Sequence, residues 1–90
     1  KKFNIIIDDS THEFEDQINI IKNTVNFLAP GGLLIIEDIF HTPKNLESKY
    51  INSLKNYLKL FEKIFFIECN HINKYSPDWN NDKLLVFKKK

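Results

Sequence analysis

Hydrophobic positions along this chain switch between two rhythms, and the switches mark the elements. Phe3-Asn4-Ile5-Ile6-Ile7 is a short β-branched run that ends abruptly at Asp8-Asp9. Continuous apolarity without alternation predicts a strand covered on both faces, as in parallel sheets. Ser10 followed by Glu13 offers a capping-box pattern, and Phe14, Ile18, Ile21, Val25 and Leu28 then recur at helical steps. Pro30-Gly31-Gly32 is expected to stop that helix by supplying the positive φ of a helix exit. Leu33-Leu34-Ile35-Ile36 predicts a second buried strand, and it too runs into acid, Glu37-Asp38.

The stretch from Ile39 to Asn45 reads as a loop, and Leu46 to Glu62 as a helix with Tyr50, Leu54, Tyr57, Leu58 and Phe61 on one side. Lys63 to Cys69 predicts a third strand, Asn70 to Asp82 a polar loop, and Lys83 to Lys88 a fourth strand. The order is β-α-β-α-β-β. Strands separated by helices imply parallel pairing through right-handed crossovers, whereas the last two, with no helix between them, should pair antiparallel. The fold class is therefore α/β. Residues 1–90 read as a single unit without internal repeat or domain boundary.

Composition narrows the partners. The chain is 42% hydrophobic and 28% charged, with a formal net charge of +1. That balance gives no electrostatic case for nucleic acid or an anionic membrane, and Lys88-Lys89-Lys90 is read as a solvated tail. No apolar run approaches the length of a membrane span or signal-peptide core. The single Cys69 cannot form an internal disulfide, which fits a reducing cytoplasm. The chain has no methionine and starts at Lys1-Lys2-Phe3, so a piece of a longer protein is the expectation.

The chemistry lies in the acids. In an open α/β sheet, ligands bind beyond the carboxyl ends of the strands, and both acidic pairs sit at such ends. If the two strands are neighbours, about 4.8 Å separates them, and Asp8-Asp9 faces Glu37-Asp38. Four gathered carboxylates repel unless some protonate or a cation neutralises them. Oxygen donors of this type suit Mg²⁺, with Mn²⁺ and Ca²⁺ as rivals. A lone acidic pair at a strand end is more often a cap or turn; its recurrence at the second strand favours a site. His12, near the start of the first helix, is a candidate general base, weighed evenly against a solvated first-turn histidine. His41 and His71 are read as loop residues. Tyr75 and Trp79 either line a pocket or pack their own loop.

Together, Ile6-Ile7-Asp8-Asp9-Ser10-Thr11-His12, Gln17, and Leu28-Ala29-Pro30-Gly31-Gly32-Leu33-Leu34-Ile35-Ile36-Glu37-Asp38 resemble class I S-adenosylmethionine-dependent methyltransferases. Within them the pattern is most similar to the metal-dependent macrocin and mycinamicin type of sugar O-methyltransferase. Those enzymes carry Asp-Asp-Gly-Ser-His or a close variant at one strand end and Ile-Glu-Asp at the next. The resemblance covers essentially the whole chain. It implies the C-terminal half of a Rossmann-like doubly wound methyltransferase sheet, the N-terminal cofactor-binding half lying outside these residues. It further implies Asp9, Glu37 and Asp38 as ligands of Mg²⁺ or Mn²⁺, His12 as catalytic base, and Asp8 beside the methionine portion of S-adenosylmethionine. The acceptor would be a hydroxylated small molecule, a sugar among the candidates. Ser10 stands where the family often has glycine. Gly31-Gly32 follows a helix and precedes a strand, so it is not the family's glycine-rich cofactor loop. Two readings from other classes remain beside it: a receiver-like Mg²⁺-binding signalling module, which also has acids at a strand end, and a non-catalytic α/β fragment.

Overall fold

The computed structural model describes residues 2–9, 13–40, 45–68 and 83–90. It is an α/β domain with one mixed four-stranded sheet. The strands are β1 (Phe3–Asp8), β2 (Leu28–Ile39), β3 (Phe61–Glu68) and β4 (Lys83–Lys89), in the spatial order β1-β2-β4-β3. β1 pairs parallel with β2, and β4 pairs antiparallel with both β2 and β3. The parallel β1–β2 pair and the antiparallel β3–β4 pair agree with the sequence reading. That β4 inserts between β2 and β3 is not something element order alone discloses.

Helix α1 (Phe14–Thr24) connects β1 to β2, and α2 (Leu46–Ser53) lies between β2 and β3. Both chain crossings move the same way across the sheet, so right-handed connections put both helices on one face. That face forms the core: Ile18 and Ile21 of α1 and Tyr50 of α2 pack with Leu34, Ile36, Leu85 and Phe87 of the sheet. On the opposite face, several described residues toward the sheet edges stay open to solvent, although Val86 in the middle strand is buried. Phe3, Ile5, Ile7, Phe65 and Ile67 stay exposed, with Ile5 at 58% and Ile7 at 56%. The expectation that the apolar run Phe3–Ile7 is covered on both faces is therefore corrected for β1. Side chains alternate along a strand, and only one alternate set meets the helices.

Three boundaries also differ from the periodicity. α1 starts at Phe14 with Glu13 as its N-cap and no side-chain cap bond, while Ser10 of the expected capping box lies outside the described residues. α1 ends at Thr24, whose hydroxyl donates to the Ile20 carbonyl at 2.7 Å, and a 3₁₀ turn over Val25–Phe27 follows. Such back-bonding competes with continuation of the helix. The second predicted helix is divided: α2 stops at Ser53, a 3₁₀ segment runs from Lys55 to Leu60, and Phe61 already belongs to β3. Asn52, Ser53 and Asn56 are poor helix formers, and the Phe61 ring is drawn onto Phe87 at 4.7 Å between centroids.

Pro30-Gly31-Gly32 is not a helix exit but part of β2. Phe3 pairs with Leu28 and Ile5 with Leu33, so extra residues of β2 bulge outward between those two rungs. Gly31 takes a φ of +79° there. At Gly32 an added Cβ would lie 2.9 Å from the Ala29 carbonyl oxygen and 3.1 Å from that of Asn4. Backbone oxygens cannot swing aside as a side-chain tip can. Gly32→Ala is expected to destabilise the domain by about 1–3 kcal/mol in urea titration; an unchanged midpoint would contradict this close approach.

Candidate metal centre

The parallel register of β1 and β2 sets Asp8 opposite Ile36. Asp8-Asp9 and Glu37-Asp38 thus arrive at the same end of the sheet on adjacent strands, as the sequence suggests. Asp8 is buried at 8% exposure, Asp9 is exposed, and Glu37 and Asp38 are half-buried. A second bulge lies here. Ile36 pairs with Leu85 but Ile39 with Lys83, so β2 has one residue more than β4 between those rungs. Asp38 sits in that bulge at a φ of 61°, the left-handed region that aspartate enters more readily than most residues. Such a bulge leaves its extra residue outside the regular ladder pairing.

The acids interact. The Glu37 carboxyl is held above the usual carboxylate range, first by burial and then by repulsion from Asp9, Asp38 and Asp8. This is the electrostatic signature of carboxylates crowded on one strand end. A divalent cation relieves such crowding, and an all-oxygen donor set matches a hard ion. The donor chemistry therefore fits. Among the described residues, no three histidine, cysteine or acidic side chains are gathered closely enough as placed to hold a metal ion.

Beneath the acids lies a buried polar chain. Gln17 of α1, at 0% exposure, donates from Nε2 to the backbone carbonyl of Glu37 at 3.2 Å. The Tyr50 hydroxyl, on α2, donates to Gln17 Oε1. Burial pushes the Tyr50 hydroxyl pKa up to about 12, so it remains a donor throughout the physiological range. The Tyr50 ring packs against Phe14 at 4.7 Å and Phe66 at 6.3 Å. Gln17 was legible only as part of a resemblance, and Tyr50 only as one residue of an apolar helix side. The usable signal was a glutamine on the stripe formed by Phe14, Ile18 and Ile21.

Lys83 reaches the same end of the sheet through its pairing with Ile39. It is 4% exposed, and its Nζ lies 2.7 Å from Glu47 and 3.7 Å from Glu68. A lysine opening a strand gave no hint of this burial. Two surface hollows lie apart from the acids. One, of about 420 Å³, is lined by Asn45, Ser48, Lys49, Asn52 and Ser53; the other, of about 380 Å³, by Phe3, Ile5, Ile6, Thr24 and Phe27.

His12, the expected base, lies outside the described residues, as do Ser10, His41, Cys69, His71, Tyr75 and Trp79. Among the described residues, no helix is long and apolar enough to cross a membrane. Comparison with protein-family models, with curated proteins and with solved structures finds no match.

Proposed function

We propose that this chain is the metal-binding half of a class I S-adenosylmethionine-dependent O-methyltransferase, acting on a hydroxylated small molecule such as a sugar. The observation that carries this reading is the β1–β2 register, which brings two acidic pairs to one sheet end. The β-α-β-α-β-β order with an antiparallel final pair supports the back half of a Rossmann-like doubly wound sheet. The same antiparallel strand speaks against a receiver-like module. Neither nucleic acid nor membrane enters this reading, and the lone Cys69 fits a cytoplasmic enzyme.

In this proposal Asp9, Glu37 and Asp38 hold Mg²⁺ or Mn²⁺. When bound, the cation supplies charge that lowers the pKa of an acceptor hydroxyl. Asp8 would help hold the methionine portion of the methyl donor. His12 would accept the proton of the acceptor hydroxyl, and the methyl donor, when bound, would supply an activated methyl group to that oxygen. The chain's main contribution is orientation and fixed charge around that transfer.

Titration calorimetry with MnCl₂ or MgCl₂ tests the metal assignment. The complete protein, with its N-terminal half, is expected to bind, and Asp9→Ala/Glu37→Ala/Asp38→Ala to lose the binding heat; equal affinity in that variant refutes the ligands. In this reading the ninety residues are inactive alone, so His12→Ala is tested in the complete protein, where it is expected to lower methyl transfer by roughly 10²–10⁴-fold; full turnover at neutral pH removes His12 from the mechanism.

A further inference from the structure

We infer that Tyr50 and Gln17 form a buried relay that positions the acidic end of β2, a role that rests on the proposed metal site only for its functional consequence. The two side chains join three elements. Tyr50 on α2 donates to Gln17 on α1, and Gln17 donates onward to the Glu37 carbonyl of β2 at 3.2 Å. Tyr50 is 1% exposed and Gln17 0%. Burying a carboxamide and a phenol is costly unless each polar atom is matched. Here the phenol donor, the amide acceptor and the amide donor are all used.

The attachment point matters. Glu37 belongs to the segment between Ile36 and Ile39, where β2 slips register against β4. A bulge interrupts the ladder, so a backbone carbonyl in it needs a partner from elsewhere. Gln17 provides one at the residue that precedes the left-handed Asp38. Fixing that carbonyl fixes the peptide plane between Glu37 and Asp38, and with it the directions in which both carboxylates leave the backbone. The relay is itself held in place. The Tyr50 ring is packed by Phe14 and Phe66, and the Lys49 ammonium lies 4.2 Å above the Phe14 ring. Tyr50 and Gln17 are positioning residues, acting through the backbone that carries the acids.

Tyr50→Phe keeps the ring and removes the donor; Gln17→Met keeps the length and removes both amide functions. Two readouts separate the relay from the metal. By NMR, the ¹³C′ resonance of Glu37 and the amide of Asp38 should move in both variants, while Leu34, further back in the same strand, should not. By titration, Mn²⁺ affinity should fall roughly three- to tenfold in Tyr50→Phe, the fold-change corresponding to about one net hydrogen bond. Static Glu37 and Asp38 resonances overturn the relay, as do shifts spread equally to Leu34. Local shifts with unchanged Mn²⁺ affinity overturn the positioning role. If the unmodified protein binds no Mn²⁺, the metal reading fails, and the Glu37 and Asp38 resonances still decide the relay. Should Gln17→Met not fold, Tyr50→Phe, which leaves the packing of the ring intact, decides between these outcomes by itself.

Discussion

Phe87→Ala is expected to cost about 3–5 kcal/mol, the largest stability loss from any single truncation in the sheet. Phe87 is fully buried in β4, between Leu34 of β2 and Ile64 of β3, with its ring tilted on Phe61 at 4.7 Å. Removing it opens a void where strand pairing and helix packing meet, and close-packed neighbours relax only partly into such a space. A domain of this size has a total stability of order 5–15 kcal/mol. The loss should therefore lower the melting temperature by roughly 12–40 °C at about 4–8 °C per kcal/mol. Ile7→Ala supplies the internal control. Ile7 lies on the opposite face at 56% exposure, so its truncation should cost under about 1 kcal/mol. Thermal melts of both variants measure the difference; equal losses would mean that the helices do not cover the face assigned to them.

The same contrast explains which parts of the fold were legible. Ile5, Ile6 and Ile7 are one unbroken apolar run, which locates a strand but not how many of its faces are covered. Ile6 joins the core while Ile5 and Ile7 remain exposed, because both helices lie on one side. Helix periodicity placed α1 and α2 correctly, yet it overran their ends. Leu54 is buried just past α2, so the apolar spacing persists after the α-helical hydrogen bonding has stopped. Pro30-Gly31-Gly32 signalled a backbone that needs positive φ, a demand shared by helix exits and strand bulges. Only the pairing partner, β1, distinguishes them. In the candidate site, both acidic pairs were readable from their places at strand ends. The left-handed Asp38 was not, since its conformation follows from a register slip against β4. Nor was the contact between Tyr50 and Gln17, which joins residues 33 positions apart.

Glu37→Gln is expected to move stability and cation binding in opposite directions. Burial and the neighbouring Asp9, Asp38 and Asp8 hold the folded-state pKa of Glu37 above its unfolded value. Between those two pKa values the folded protein binds more protons than the unfolded chain, so stability falls as pH rises through that window. The penalty is fully present above the folded pKa and absent below the ordinary carboxylate value. A glutamine cannot ionise and escapes it. The variant should therefore melt higher than the unmodified protein at pH 7, with the advantage vanishing on acidification. Divalent cation reverses the ranking if Glu37 is a ligand. Binding only to the folded state stabilises by about 2.7 kcal/mol at a concentration 100 times the dissociation constant. MgCl₂ should accordingly raise the melting temperature of the unmodified protein and leave Glu37→Gln nearly unmoved. Melting curves from pH 4 to pH 8, with and without MgCl₂, read out both effects. A variant that melts lower at pH 7 in the absence of cation would refute the electrostatic crowding. One that gains as much from MgCl₂ as its parent would remove Glu37 from the ligand set. If both expectations hold, the acids cost the apo domain stability and are offset only when a cation is bound, as the carboxylates of a functional site should be.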